Sequence, residues 1–437
     1  MDCAVPRGRV RHDGPYPPEV YLPPNLTHRM RYSCFSTLFL LCLGIPAFAQ
    51  SYTYVELDST RTKWGDYAAP DWLRYFGTAA GDVNADGRPD IVAGRYVYLN
   101  PGDDLTATWT RRRFPMNLDG FLVMDVDGDE YADIIAMALP RLYWLEATNE
   151  RADRYRIQHI GDAEATWHVN SQGFTKGQLI PGGKEEIIIA GNGNIFAFEI
   201  QADGSFKRST IAENTSDEGI GVGDLDGDGD LDIAAGRRPE GETEPTILVW
   251  YENPGKLTDN WKGTVVGNSS HPIDRVMIAD LTGDGQNEIV MTQERYPGLE
   301  ADAEMIYWKW TGPSTIHSDK VSMDAQEPRT SIPRKDLRGG KWQPTVVVTQ
   351  YSMNNLNVAD LDNDGDLDLL TNEHKGEALA LQLWKNDGSG NFTKTTLDEG
   401  KEMHLGALLA DFNGDGKPEI FGHGWDNWKY MHLWIAR

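Results

Sequence analysis

Cysteine is nearly missing from this 437-residue chain: Cys3, Cys34 and Cys42 are the whole supply, and none follows residue 42. Everything downstream therefore lacks a disulfide framework, a thiolate metal site and a cysteine nucleophile. Positive charge is scarce as well. Lys and Arg number 41 against 67 Asp and Glu, a net charge of −26, which argues against nucleic acid or an anionic membrane as partner. Long apolar runs are missing after residue 50, so no later segment is expected to span a bilayer.

The beginning of the chain reads differently from the rest. From Met30, "MRYSCFSTLFLLCLGIPAFAQ" has the basic start, short apolar run and Ala47-Phe48-Ala49 ending of a secretory signal peptide over residues 30–49. A secreted, periplasmic or extracellular protein is the expectation. Residues 1–29 are Pro- and Arg-rich without a period and read as sequence upstream of a true start at Met30. Leu41 stands before Cys42 where a lipoprotein anchor would need a small residue, so no anchor is expected. Residues 1–49 carry five arginines against Asp2, Asp13 and Glu19, so their removal takes the net charge from −26 to −28. The remaining chain, residues 50–437, must be stapled by something other than sulfur.

What that chain has instead is a repeat. "GDVNADGRPDIVAG" recurs as "MDVDGDEYADIIAM", "GDLDGDGDLDIAAG", "ADLTGDGQNEIVMT", "ADLDNDGDLDLLTN" and "ADFNGDGKPEIFGH". A further copy, "GQLIPGGKEEIIIAG" from Gly177, keeps the glycines and the isoleucine run but has lost most of its acids. Each copy follows a Gly-containing apolar stretch and precedes an alternating strand and an aromatic strand. A fourth strand then opens on Trp109, Tyr155, Phe206, Trp261, Trp342 or Phe392. Four short strands at a period near fifty predict the blade of a β-propeller, and seven copies predict seven blades in one all-β domain. The seventh blade ends at "YMHLWIAR" without a fourth strand. Residues 51–57, "SYTYVEL", have the pattern to supply it and close the ring, which removes the open sheet edges.

Five aspartates between Asp224 and Asp232 would repel one another unless a cation sat among them. Oxygen ligands recur at loop positions 1, 3, 5 and 9: Asp82, Asn84, Asp86 and Asp90; Asp125, Asp127, Asp129 and Asp133; Asp224, Asp226, Asp228 and Asp232; Asp360, Asp362, Asp364 and Asp368. Asp411, Asn413, Asp415 and Glu419 form a fifth set, and Asp280, Asp284 and Glu288 a weaker sixth. Short loops of hard oxygens suit Ca²⁺. An EF-hand is excluded because position 12 carries no Glu and strands, not helices, flank the loop. Five or six structural Ca²⁺ ions are expected.

The spacing D-x-[DN]-x-D-G-x-x-[DE] after a Gly-containing apolar strand resembles the FG-GAP/VCBS repeats of integrin α-chain propellers and many secreted bacterial proteins. The resemblance covers residues 51–437 and implies a calcium-bound propeller. It is also distantly similar to propeller polysaccharide lyases of the ulvan type and to the propeller domain of aldos-2-ulose dehydratase, though no catalytic residue carries over from either by motif.

Chemistry is expected on the face opposite the acidic loops, built by second-to-third-strand loops and inter-blade links. Loops on a rigid scaffold are where function gathers, and five histidines, 168, 271, 374, 404 and 423, map there. Candidate catalytic residues are His271, Arg275, Glu294, Tyr296, His374 and His404. Trp72, Arg95, His168, Arg237, Tyr351 and Trp425 are candidates for binding substrate, the aromatic faces stacking on sugar rings. A Tyr or His beside an Arg suits proton abstraction next to a uronate carboxylate, as in a lyase or dehydratase. The same imidazoles and carboxylates could instead supply an additional transition-metal site. Two other readings stand beside a carbohydrate-active enzyme: a carbohydrate-binding propeller without turnover, and a protein-interaction propeller. A monomer acting on a glycan or sugar derivative is expected. Residues 311–341 read as an insertion between the third and fourth strands of blade five.

Overall fold

The computed structural model describes residues 51–63, 75–166, 168–295, 301–311, 342–405 and 407–437. The chain divides into two compact units, Met1–Phe48 and Ala49–Arg437. The first, with the expected signal peptide, lies outside the described residues, as does most of the insertion at 311–341.

The described residues form 28 strands in seven antiparallel four-stranded sheets, with no helix among them. This is a seven-bladed β-propeller. Blades one to six span residues 78–113, 119–162, 174–213, 215–268, 273–350 and 357–398 in sequential strand order. Blade seven takes three strands from residues 408–436, and the strand Tyr52–Asp58 completes it by pairing with Met431–Ala436. The closure expected from "SYTYVEL" is therefore observed, and it joins the two ends of the unit.

The second and third strands of each blade are buried on both faces, which is why they read as nearly continuous apolar runs, whereas fourth strands such as Thr110–Arg113 and Phe392–Asp398 are largely exposed. In blade three, Ile187 and Ile189 pack toward blade two with Trp144 and Phe121, while Ile188 and Ala190 pack toward blade four with Val249 and Tyr251. Seven such apolar cores occur, one at each interface between consecutive blades. The period-two alternation of side chains thus serves two neighbours at once.

At the entry to the first strands, successive blades come close enough to exclude a side chain. A Cβ on Gly173 would lie 1.8 Å from the carbonyl oxygen of Glu218, and one on Gly77 would lie 2.1 Å from that of Gly120. Backbone cannot retreat here without opening the ring. Gly173→Ala is expected to lower stability by about 1–3 kcal/mol, as overpacking does, read as a fall in the thermal midpoint; an unchanged midpoint would show the blades to be looser than this.

Candidate functional site

Each acidic loop is a hairpin whose ninth residue opens the second strand. That residue stands directly across from the residue before the loop in all seven blades, as in Gly81↔Asp90, Gly177↔Glu186 and Ala410↔Glu419. The register buries the ninth carboxyl and aims it at backbone. One oxygen accepts the N–H of loop position 2: Val83 on Asp90, Val126 on Asp133, Leu179 on Glu186, Leu225 on Asp232, Leu281 on Glu288, Leu361 on Asp368 and Phe412 on Glu419, at 2.7–3.1 Å. In three blades the other oxygen accepts the N–H of an asparagine ending the third strand, Asn100, Asn253 or Asn386, at 2.8–2.9 Å. The Nδ2 of each of these asparagines donates to the previous blade, to Phe412 O, Leu179 O and Leu281 O respectively. The recurring Asn-Pro-Gly or Asn-Asp-Gly at 100–102, 253–255 and 386–388 was the available sequence signal for this cross-blade tie.

Position 1 works differently. It is more exposed, and it closes the loop by accepting N–H groups from positions 4 to 6: Asp82 holds Asp86 at 3.1 Å and Gly87 at 2.7 Å, Asp360 holds Asp364 at 3.1 Å and Gly365 at 3.0 Å, and Asp224 holds Gly227 at 2.7 Å and Gly229 at 3.0 Å. Position 6 takes φ of +85 at Gly87, +93 at Gly229 and +96 at Gly365, values that favour glycine. Glu130, at that place in blade two, is not among the residues with positive φ.

Several of these loops could hold a metal ion. Ligand atoms of Asp125, Asp127 and Asp133, of Asp127, Asp129 and Glu146, of Asp224, Asp226 and Asp232, and of Asp360, Asp362 and Asp368 fall within 4.8 Å of one another. Hard carboxylate oxygens gathered this closely fit a divalent cation. Burial, helped by the neighbouring carboxylates, pushes the ninth-position carboxyls up to about 7 at Asp90, Asp232 and Glu419 and about 6 at Asp133 and Asp368. A bound cation would reverse that push. In two blades a third-strand lysine also reaches the loop. Lys309 Nζ lies 2.8 Å from Asp284 and 3.5 Å from Glu288, and Lys385 Nζ contacts Asp362 and lies 3.0 Å from Asp364.

On the face opposite the loops, inter-blade links and second-to-third-strand loops converge on the channel. Phe76 and Trp425 stack at 4.7 Å and 11°. His168 and His404 lie against both, with centroids 5.6–6.0 Å away, and His374 meets His404 edge-on at 4.4 Å. His374 Nδ1 donates to Glu402 Oε1 at 2.6 Å. The Glu402 carboxylate also accepts the backbone N–H groups of Trp425, Asp426 and Asn427 at 2.7–2.8 Å. Burial would raise the Glu402 carboxyl, but the bond and charge of His374 and these backbone donors outweigh it and hold it below the usual range. His404 is held well below the usual histidine range, first by burial and then by the charges of His374, Arg275 and Lys375.

A second polar chain continues around the mouth. Arg275 pairs with Asp274 at 3.2 Å and Glu218 at 3.6 Å, and donates to the carbonyls of Asn354 and Gln172. Asn354 bridges Asp274 and Glu294 at 2.8 and 3.2 Å, Lys375 pairs with Glu294, and Gln172 joins Glu218 to His168. Burial, then the charge of Asp274, pushes Glu218 far up; burial pushes Asp274 up to about 6 even with Arg275 beside it. Beside these groups lies a cavity of about 460 Å³ lined by Tyr351, His374, Lys375, Gly376, Glu402 and Asp426. His374, Glu402 and Asp426 also bring ligand atoms within 4.8 Å. Glu402, however, already accepts four hydrogen bonds, which weakens it as a metal ligand.

Seven of the twelve candidate catalytic and binding residues, His168, Arg275, Glu294, Tyr351, His374, His404 and Trp425, belong to this mouth. Their roles divide. Arg275 is 7% exposed and spent on protein groups, so it is a hub of the ring, not a group open to a substrate carboxylate. His271 is elsewhere engaged, bonding Ser270 Oγ and Ala301 O at 3.0 Å. Arg95 is buried beside blade one, and Arg237 ends the second strand of blade four opposite Thr215 and Ile247. Trp72 and Tyr296 lie outside the described residues. Sequence reasoning missed Glu402 and Phe76. Glu402 stands two residues before His404, a spacing that carried no signal until the link was seen to fold back on His374.

The repeat family described as FG-GAP-like repeat matches residues 183–235 and 360–422. No curated protein matches. Among solved structures, "Crystal structure of BBS1N in complex with ARL6DN, soaked with lead" is similar at 8% identity and a TM-score of 0.49, over 88% of this chain and 96% of that one. Among the described residues, no helix is long and apolar enough to cross a membrane.

Proposed function

The chain is a seven-bladed β-propeller carrying FG-GAP-like repeats, and we propose that it is a secreted, calcium-stapled scaffold acting on a carbohydrate at the channel mouth opposite the acidic loops. The reaction is β-elimination or dehydration of a sugar derivative. One observation carries this reading: the buried His374–Glu402 pair beside the 460 Å³ cavity.

Glu402, held ionised, can only accept, so Nδ1 of His374 carries the shared proton and Nε2 is the ring nitrogen left to take one up. Such a base can take the proton next to a carbonyl or carboxylate carbon. The electrons then form the carbon–carbon double bond as the β-oxygen substituent leaves. Lys375, on the adjacent residue, lines the same cavity and, while paired with Glu294, can turn a further N–H toward the negative charge that would develop. Tyr351, in the cavity lining, would meet the ring of a sugar, with Arg295 already over one face of its own ring. The net charge of −26 disfavours a polyanion as a whole, which points to neutral or singly oxidised sugars.

Incubation with uronate polysaccharides and keto-sugars, in calcium, is expected to raise ultraviolet absorbance from a new double bond. His374→Ala should lower the rate by about 10²–10⁴-fold, the usual contribution of a positioned base. Silence across the panel together with retention on a glycan column would replace turnover with binding alone. Neither turnover nor retention would leave a protein-interaction propeller.

A further inference from the structure

We infer that blades five and six close their acidic loops with a lysine of their own and take up no calcium there. The inference rests on the calcium reading above. It turns on one third-strand position, the residue after the aromatic or apolar side chain that pairs with the tenth loop residue. In chain order this position holds Leu99, Glu146, Glu199, Glu252, Lys309, Lys385 and Ile435.

The strand register points this position at the acidic loop of the same blade. In blade two, Glu146 comes within 4.8 Å of Asp127 and Asp129, so three carboxylates meet; Arg156 pairs with Glu146 at 2.5 Å from the fourth strand, and no ion pair ties a cation to Asp127 or Asp129 among the described residues. In blade five the same place holds Lys309, whose ammonium sits 2.8 Å from Asp284 and 3.5 Å from Glu288 and bonds Thr282. In blade six Lys385 sits on Asp362 and 3.0 Å from Asp364, inside the group that also gathers Asp360 and Asp368. Lys184 approaches Asp125 of blade two at 3.0 Å, but it comes from the neighbouring loop and touches that one residue at the rim. A doubly charged ion entering either loop would have to displace an ammonium from its carboxylates or sit beside it.

The experiment is an ion count on the full chain, by native mass spectrometry and calorimetric titration with calcium chloride after chelation. No more than four ions are expected, in blades one, two, four and seven. Lys309→Met with Lys385→Met keeps the aliphatic stems and removes the charges. That double variant should bind two more ions, each at affinity raised by about a hundredfold or more over the wild-type loop. Lys309→Arg with Lys385→Arg keeps the cation and should keep the wild-type count. Five or six ions in the wild type would overturn the inference and leave the calcium reading standing, and this holds even if the variants do not fold. A folded Met variant with no added ions would overturn it as well. No ions in any form would remove the calcium reading and the inference with it.

Discussion

Asp232→Ala is expected to destabilise the propeller by about 2–5 kcal/mol already in chelator, because it leaves two buried N–H groups without an acceptor. Those groups are Leu225 N at 3.1 Å and Asn253 N at 2.8 Å, and Asp232 itself is 1% exposed. Asp224→Ala should behave otherwise. Asp224 accepts only the loop N–H groups of Gly227 and Gly229, which water can satisfy once the side chain is gone. Its loss should matter in calcium and scarcely in chelator. Blade three supports the division: its loop has lost the acids at positions 1, 3 and 5, yet Glu186 remains and still accepts Leu179 N at 2.7 Å. Denaturant midpoints of both variants, with and without calcium, decide the matter. If the two showed the same calcium dependence, the ninth carboxylate would be a ligand first and a backbone clamp second.

The second large effect is a change of sign in the dependence of stability on pH. Asp90, Asp232 and Glu419 are raised to about 7 and Asp133 and Asp368 to about 6 in the folded chain. A carboxyl raised on folding binds more protons folded than unfolded, so its contribution is full below its ordinary pKa. It is lost as pH rises through 6–7. Three buried histidines oppose this. His423 is lowered to about 3, His432 to about 4 and His404 well below its usual value, in each case first by burial. Their contribution is present above pH 6.5 and lost as pH falls below it. Asp119, raised to about 7, with Asp274 at about 6 and Glu218, roughly offsets the histidines. The five loop carboxyls then decide the slope. In chelator, stability should fall from pH 5 to pH 8. Calcium favours the ionised carboxylates and binds only as they lose protons, so with calcium stability should rise over the same range. Thermal midpoints at pH 5, 6, 7 and 8 in both conditions test this, and parallel curves would count against calcium in these loops.

Much of this architecture was legible from residues 51–437 alone. The seven copies, the four strands of each and the completion of the last blade by "SYTYVEL" depend on local signals: β-branched and aromatic runs, turn glycines and a fixed period. Each blade repeats them, so chance fails seven times over. The acidic residues were legible for a similar reason, since positions 1, 3, 5 and 9 lie within one hairpin.

What tertiary structure alone decided is which of these residues share a place. Positions 1 and 9 look alike in sequence, yet the strand register turns one toward solvent and buries the other against backbone. Lys309 and Lys385 are ordinary strand lysines until the third strand folds back beside the loop some twenty residues earlier. His374 and His271 both sit on the face expected to carry function. Only the packing of blade seven on blade six brings His374 to Glu402 and His404, only ring closure sets Phe76 on Trp425, and His271 is left bonded to Ser270 and Ala301. A hairpin is specified by neighbours in the chain, and so its chemistry can be read along the sequence. The channel mouth is assembled from links that belong to different blades, and their meeting is a property of the closed ring.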